Sequence, residues 1–207
     1  MKSLSSRERV RIALAHQEPD KVPIDIGEGR QNSMYTQPYI KATALLGLGN
    51  LEIVKSPRNH IDRFDDRFLE ALEIDFRRVS LRDIPQYQIV QPDGMRRDEW
   101  GIGWKESGPF WNLVDAPLKD ATLDDLERYP WPDPADERYF QGLREEAEFK
   151  WKHTPYALVA KIPHNAYGIL SQSMQLRGME NFLADLILNR EFAAALMDRV
   201  LSFHIRL

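Results

Sequence analysis

The stretch VPIDIGEGRQNSMY, residues 22–35, runs from a short apolar segment into two glycines, an arginine and a polar tail. Val22–Ile26 reads as a short buried strand, with Pro23 at its start, where a missing N–H matters least. Gly27–Tyr35 reads as the loop that follows. The fold turns on whether this unit recurs with helices between the copies. It does: Phe76–Leu81 is a second short strand, and Tyr156–Ile162 is a third, apolar until Lys161.

Helical patterns fill the intervals. Ser5 and Glu8 form a capping-box pair ahead of a helix over residues 6–16. Pro38 suits a first helical turn, Tyr39–Leu46 follow, and Gly47 stops them. Arg63–Leu72 places Phe64, Phe68, Leu69 and Leu72 on one side, and Asp136–Lys152 does the same with Phe140, Leu143, Ala147 and Trp151. GMENFLADLILN gives a further amphipathic helix through Met179, Phe182, Leu183, Leu186 and Ile187, and a last helix starts near Arg190.

The middle has another texture. YQIVQPDGMRRDEWGIGW carries a turn at Pro92-Asp93-Gly94 and then alternation through Trp100, Ile102 and Trp104. This predicts an antiparallel excursion around residues 86–114. YPWPDP, residues 129–134, is too rich in proline for a helix or a central strand and reads as an extended linker. Three short strands alternating with helices predict an α/β fold with a parallel sheet covered by helices. From periodicity alone, a closed barrel and an open doubly wound sheet fit equally.

Composition narrows the function. Of the 207 residues, 43% are hydrophobic and 29% charged, the balance of a water-soluble globular chain. A net charge of −4 argues against nucleic acid or an anionic membrane as the main partner. The absence of cysteine excludes disulfides and thiolate zinc sites within this chain. No secretory apolar core follows the first residues, and no run is long enough to span a bilayer, so a cytoplasmic location is expected.

Four segments carry a resemblance: SRERVRIALAHQEPDKVPIDIGEGRQ, DEWGIGWK, APLKDATLDDLERYPWPDP and GMENFLADLILNREFAAALMDRV. Taken in this order they resemble the uroporphyrinogen decarboxylase superfamily, which includes the decarboxylase of haem synthesis and corrinoid-linked methyltransferases. The resemblance implies one domain over residues 1–207 with a (β/α)8 barrel fold and a site at the carboxyl ends of the strands. A full barrel takes about 250 residues, and LSFHIRL ends inside a helix where the family continues. The expectation is therefore an incomplete TIM barrel, the N-terminal half or slightly more. A smaller complete domain with an open sheet is the alternative.

The loops after the first and third strands hold the expected substrate-binding residues. Gly27, Gly29, Arg30 and Gln31 follow the first strand; glycine lets backbone pass close to a ligand, and arginine suits carboxylate or phosphate. In the decarboxylase branch two arginines there hold substrate propionates, the second within a Gly-Arg pair that Gly29-Arg30 matches. The first falls near Ile26, which cannot pair with an anion. The tyrosine of that branch falls at Met174, and its aspartate has no match, since Asp75 precedes a strand rather than following one. His164, Asn165 and Tyr167 follow the third strand and could touch a ligand or move a proton.

These departures lean the expectation toward methyl transfer between a corrinoid and a thiol or other methyl carrier, with decarboxylation as the alternative. For a full-length family member the resemblance implies zinc and a corrinoid as cofactors, and a corrinoid protein as partner. No cofactor is expected within this chain. A half-barrel would leave strand edges open, which a homodimer could cover or which would mark a non-catalytic binding module.

Overall fold

The computed structural model describes residues 4–27, 32–49, 51–55, 61–108, 110–161 and 168–207. In chain order the first elements are α1 (Ser6–Leu14), α2 (Thr36–Leu45), β1 (Val54–Lys55), β2 (Ile61–Arg63), α3 (Asp66–Ala71) and β3 (Phe76–Ser80). Next come β4 (Met95–Arg97), β5 (Gly103–Ser107), β6 (Phe110–Asp115), α4 (Leu123–Arg128) and α5 (Leu143–His153). Then follow β7 (Ala157–Lys161), α6 (Gly168–Arg177), α7 (Met179–Leu188) and α8 (Arg190–Arg206). The chain divides into two compact units, Met1–Leu81 with Gly142–Lys161, and Arg82–Gln141 with Ile162–Leu207.

In the first unit, β3 and β7 pair in parallel, from Phe76 opposite Ala157 to Ser80 opposite Lys161. Asp75, just before β3, fixes a third segment beside them. Its carbonyl accepts from Ala157 N at 2.9 Å while its N–H donates to Ile24 O at 3.0 Å. Asp75 thus ties Ile24 to the start of the β3–β7 pair. The short buried strand expected at 22–26 is not formed: Val22 and Ile24 are exposed, and the segment is hydrogen-bonded at Ile24 without a ladder.

Buried charge locks this corner. The fully buried Asp75 carboxylate accepts from Ile24 N at 2.9 Å and pairs with Arg9 of α1. Arg9 also donates through Nε to Asp20 at 2.7 Å. Asp20 and Asp75 hold Arg9 well above its ordinary pKa, and Arg9 in return pulls Asp20 down to about 2. The predicted capping box at α1 is present, with Glu8 N donating to Ser5 Oγ and Ser5 N to Glu8 Oε2. The apolar core here comes from Tyr39, Ile61, Phe64, Phe68, Leu69 and Ile74. Tyr39 meets Phe68 edge-on at 4.7 Å and Phe64 at 5.3 Å.

In the second unit, β4, β5 and β6 form the expected antiparallel sheet. Gly101 takes φ 73° in the tight β4–β5 turn, where its N–H donates to Asp98 O at 2.9 Å. Trp100 and Trp104 are core residues, packed with helix side chains that include Phe182, Leu196, Val200 and Phe203. The spacing of Phe192, Leu196, Val200 and Phe203 puts one face of α8 into that core. Met174, where the decarboxylase's tyrosine was expected, packs partly buried against the same cluster.

Two further sequence expectations change. The helix predicted at 136–152 begins only at Leu143, because Gly142 sits at φ 68° and Glu137–Phe140 form a separate 3-10 turn. None of its residues is buried, so the apolar stripe through Trp151 is a surface feature; the Arg7 guanidinium covers that ring at 3.6 Å. On α7 the inward residues are Phe182 and Asp185, while Met179, Leu183 and Ile187 are exposed. Asp185 is buried with a partner, accepting from Arg177 Nε at 2.7 Å. The architecture is mixed α/β with small sheets, and no closed barrel is formed among the described residues.

Candidate functional site

Two neighbouring arginines inside β3 face opposite ways, as the period of a strand demands. Arg77 is buried and engaged through two of its nitrogens: Nε donates to Asp66 Oδ1 at 2.7 Å, Nη1 to Ile74 O and Phe76 O, and the guanidinium lies 3.5 Å from the Tyr156 ring centroid, while its Nη2 is buried without a hydrogen-bond partner among the described residues. Its role is to hold β3 against its surroundings. Arg78 points toward the segment that carries Asp25 and Gly27.

Arg78 Nη2 donates to Asp25 Oδ2 at 2.5 Å, and Asn32 Nδ2 donates to that same oxygen at 2.7 Å. Gly27 N donates to Asn32 O at 3.0 Å, which brings Asn32 back beside Gly27. A Cβ on Gly27 would stand 2.1 Å from Arg78 Nη2 and 2.7 Å from Asn32 Nδ2. A side chain at this position would therefore have to displace the ends of the Arg78 and Asn32 side chains, and no positive φ calls for glycine here. From the other side, Lys150 Nζ of α5 donates to Arg78 O at 2.7 Å and fixes the strand.

The Arg78 side chain is only 12% exposed, so its charge is largely withdrawn from water and balanced by Asp25. Two atoms of this pair stay unmet. Arg78 Nη1 and Asp25 Oδ1 are buried with no hydrogen-bond partner among the described residues. A buried donor and a buried acceptor without partners are the costly exception in folded proteins. Their joint presence at one ion pair marks this as the candidate ligand site.

Of the sequence-predicted residues, Gly27 is part of this cluster. Gly29, Arg30, Gln31, His164, Asn165 and Tyr167 lie outside the described residues. Asp25, Asn32 and Arg78 were not singled out from sequence. A signal for two of them was there, in Asp25 within the first short strand and the adjacent Arg77 and Arg78 within the second, since a charge withdrawn from water in a strand needs a partner. No group of three or more His, Cys, Asp or Glu side chains able to hold a metal occurs among the described residues, and the chain has no cysteine, so these residues do not fit a zinc–thiolate centre.

The second unit holds an open cleft of about 600 Å³, lined in part by Arg97, Asp115, Lys119, Asp125, Arg128 and Tyr129. Its charges are engaged locally: Arg97 pairs with Asp115 at 2.6 Å, and Asp125 accepts from Thr122 N and Oγ1 at the start of α4. Asp98, nearby in sequence, is buried, and its carboxylate accepts from Trp100 N, Ile102 N and Trp104 Nε1. Desolvation first and the Glu99 charge second push its pKa up to about 6. Three internal donors on one carboxylate make it a turn-forming group.

No family model, curated protein or solved structure matches this chain. No helix among the described residues is long and apolar enough to cross a membrane.

Proposed function

We propose that this chain forms the N-terminal part of a uroporphyrinogen decarboxylase-like (β/α)8 enzyme that handles a tetrapyrrole- or corrinoid-linked substrate, with methyl transfer as its reaction. The observation that carries the reading is the ion pair of Arg78 and Asp25, with its unmet buried donor and acceptor, next to the glycine that opens the loop after the first strand. β3 and β7 pair in parallel, and Asp75 ties residue 24 to the start of that pair, which is compatible with successive barrel strands. The resemblance of the four sequence segments supplies the superfamily.

In this reading Arg78 and Asp25 anchor a polar side chain on the ring of the substrate, and Asn32 with Lys150 keeps them in place. Methyl transfer from a corrinoid to a thiolate forms one S–C bond with the thiolate's electron pair, while the pair of the broken bond stays with the corrinoid. A corrinoid protein is the partner this requires. In β7 the edge away from β3 forms no sheet pairing among the described residues, and a second copy of the chain or further strands would cover it.

The test is titration of the chain with methylcobalamin and, separately, with uroporphyrin, followed by absorbance, and then incubation with methylcobalamin and a thiol. Saturable corrinoid binding, weakened at least about tenfold by Arg78→Ala, is expected, because a hydrogen bond to a charged group is lost. Binding of uroporphyrin alone, with carbon dioxide released from uroporphyrinogen, would move the reading to the decarboxylase. Binding of neither would leave a non-catalytic half-barrel.

A further inference from the structure

We infer that β6 is the pairing edge of a homodimer. Two copies of the chain join β6 to β6, antiparallel, about a twofold axis at Asn112, and their three-stranded sheets merge into one of six strands. The surface lies wholly in the second unit and does not involve the Arg78–Asp25 cluster.

The order β4-β5-β6 leaves the sheet with two outer edges, and they differ. Beside β4, Val90 bridges to Arg96 and Gln91 N donates to Met95 O at 2.7 Å, so that edge is already occupied. Beside β6 the edge is bare. Among the described residues, no backbone group of Phe110–Asp115 bonds outside the ladder with β5. A free row of N–H and C=O groups is a template for another strand, and soluble proteins commonly blunt it with lysine or proline. FWNLVD, residues 110–115, has neither, and its one charge, Asp115, is paired with Arg97 at 2.6 Å. With one edge open and the other occupied, pairing closes at two copies and does not propagate into a fibre.

The strand is also complementary to itself. Phe110, Asn112 and Val114 are exposed, the two apolar ones at 44% and 53%, while Trp111 and Leu113 pack against the core. Directly opposed residues of an antiparallel pair share a face, so the twofold axis has to pass through a single residue. With Asn112 on the axis, Phe110 faces the second copy's Val114 and Trp111 faces its Leu113, each twice. Aromatic side chains thus meet aliphatic ones on both faces, and the two Asn112 amides, each with donors and an acceptor, meet each other. With Trp111 on the axis, Phe110 would face Asn112; with Leu113 there, Asn112 would face Val114. Both alternatives set an amide against an apolar side chain. The β5–β6 ladder runs evenly from Phe110 to Leu113 and slips only toward Asp115, so Asn112 and both its neighbours lie in regular strand.

The chain has no cysteine, so Asn112→Cys places a single thiol at the axis. Oxidised with diamide, the full chain carrying it should form a disulfide dimer, because opposed residues hold their Cβ atoms about 4.5–5.5 Å apart. Lys105→Cys is the control. Lys105 is exposed and lies opposite Asn112 on β5, so its two copies would stand three strand spacings, about 14 Å, apart, and should not crosslink. Sedimentation velocity over a hundredfold range of concentration should show a dimer for the wild type. Asn112→Lys, checked for folding by circular dichroism, puts four lysines in one row across the axis and should weaken association at least about tenfold. A wild type that stays monomeric over that range would overturn the inference. So would a dimer that Asn112→Lys leaves intact, or crosslinking no faster through Asn112→Cys than through Lys105→Cys, since the contact would then lie elsewhere.

Discussion

Burying a carboxylate among indoles should make the second unit respond to pH in a direction opposite to that of most carboxylates. Asp98 accepts from Trp104 Nε1 at 2.7 Å and from Trp100 N and Ile102 N at 3.0 Å, yet desolvation and Glu99 raise its pKa to about 6. The unfolded chain titrates this group near 3.9. Between those two values the folded state binds the extra proton, so stability is greatest at low pH and declines as pH rises through 6. With these end points the loss is about 3 kcal/mol in total, of which about 1 kcal/mol falls between pH 5 and pH 7. Asp98→Asn removes the titration. Its amide oxygen can still accept from the two backbone N–H groups, but its NH2 would face the Trp104 indole N–H, at a cost of about 1–3 kcal/mol. Urea unfolding followed by tryptophan fluorescence, at pH 5, 6 and 7 on both proteins, gives the comparison. The wild-type advantage over the variant should shrink by about 1 kcal/mol from pH 5 to pH 7. A gap that stays constant to within about 0.3 kcal/mol, the usual limit of additivity, would refute the claim that Asp98 ionises at a raised pKa inside the fold.

Three other substitutions probe the first unit and α1. Gly27→Ala forces a methyl group against Arg78 and Asn32, and should cost about 1–3 kcal/mol by overpacking, read as a lower urea midpoint with an unchanged slope. Arg9→Ala leaves the fully buried Asp75 without its cation, so a loss of about 3–5 kcal/mol is expected; a loss below about 1 kcal/mol would show that Ile24 N alone satisfies that carboxylate. Ser5→Ala removes one half of the capping box at α1 and should lower stability by about 1 kcal/mol, with amide exchange accelerated first at Arg7 and Glu8.

The parts of the fold that were legible from sequence are those fixed by local chemistry. Ser5 and Glu8 three residues apart define a helix start, and the structure closes that box. Pro92-Asp93-Gly94 followed by alternating Trp100, Ile102 and Trp104 gives antiparallel strands, which appear as β4 to β6. The helix start at 136 failed because side-chain periodicity carries no information on a single backbone angle; Gly142 in the left-handed region ends the pattern. On α7 the periodicity is real but its orientation depends on tertiary pairing. Asp185 turns inward to meet Arg177, which leaves Met179 and Ile187 outside.

The site shows the same division more sharply. A glycine and an arginine after a strand drew attention to Arg30, because loops are where ligand residues usually lie. The described cluster instead draws its cation from the middle of the neighbouring strand. Arg78 sits within a strand that reads as structural, and only the register of β3 beside residues 22–27 brings its guanidinium to Asp25. That register is set by Asp75, whose N–H and carboxylate both bind Ile24, and which Arg9 in turn holds in place. A pair separated by 53 positions in the chain is thus positioned by a second ion pair separated by 66, neither of which has a local signature. Because the first pair depends on the second, Arg9→Ala should do more than destabilise the unit. In the fraction that remains folded, freed of the Asp75 anchor, residues 22–27 should lose their register, and the corrinoid binding proposed above should weaken along with stability. Arg77→Met tests the alternative that any loss of stability would do the same. It removes a cation from the opposite face of β3, where Asp66 and Tyr156 are its partners, and should lower stability while the affinity of the folded fraction stays unchanged.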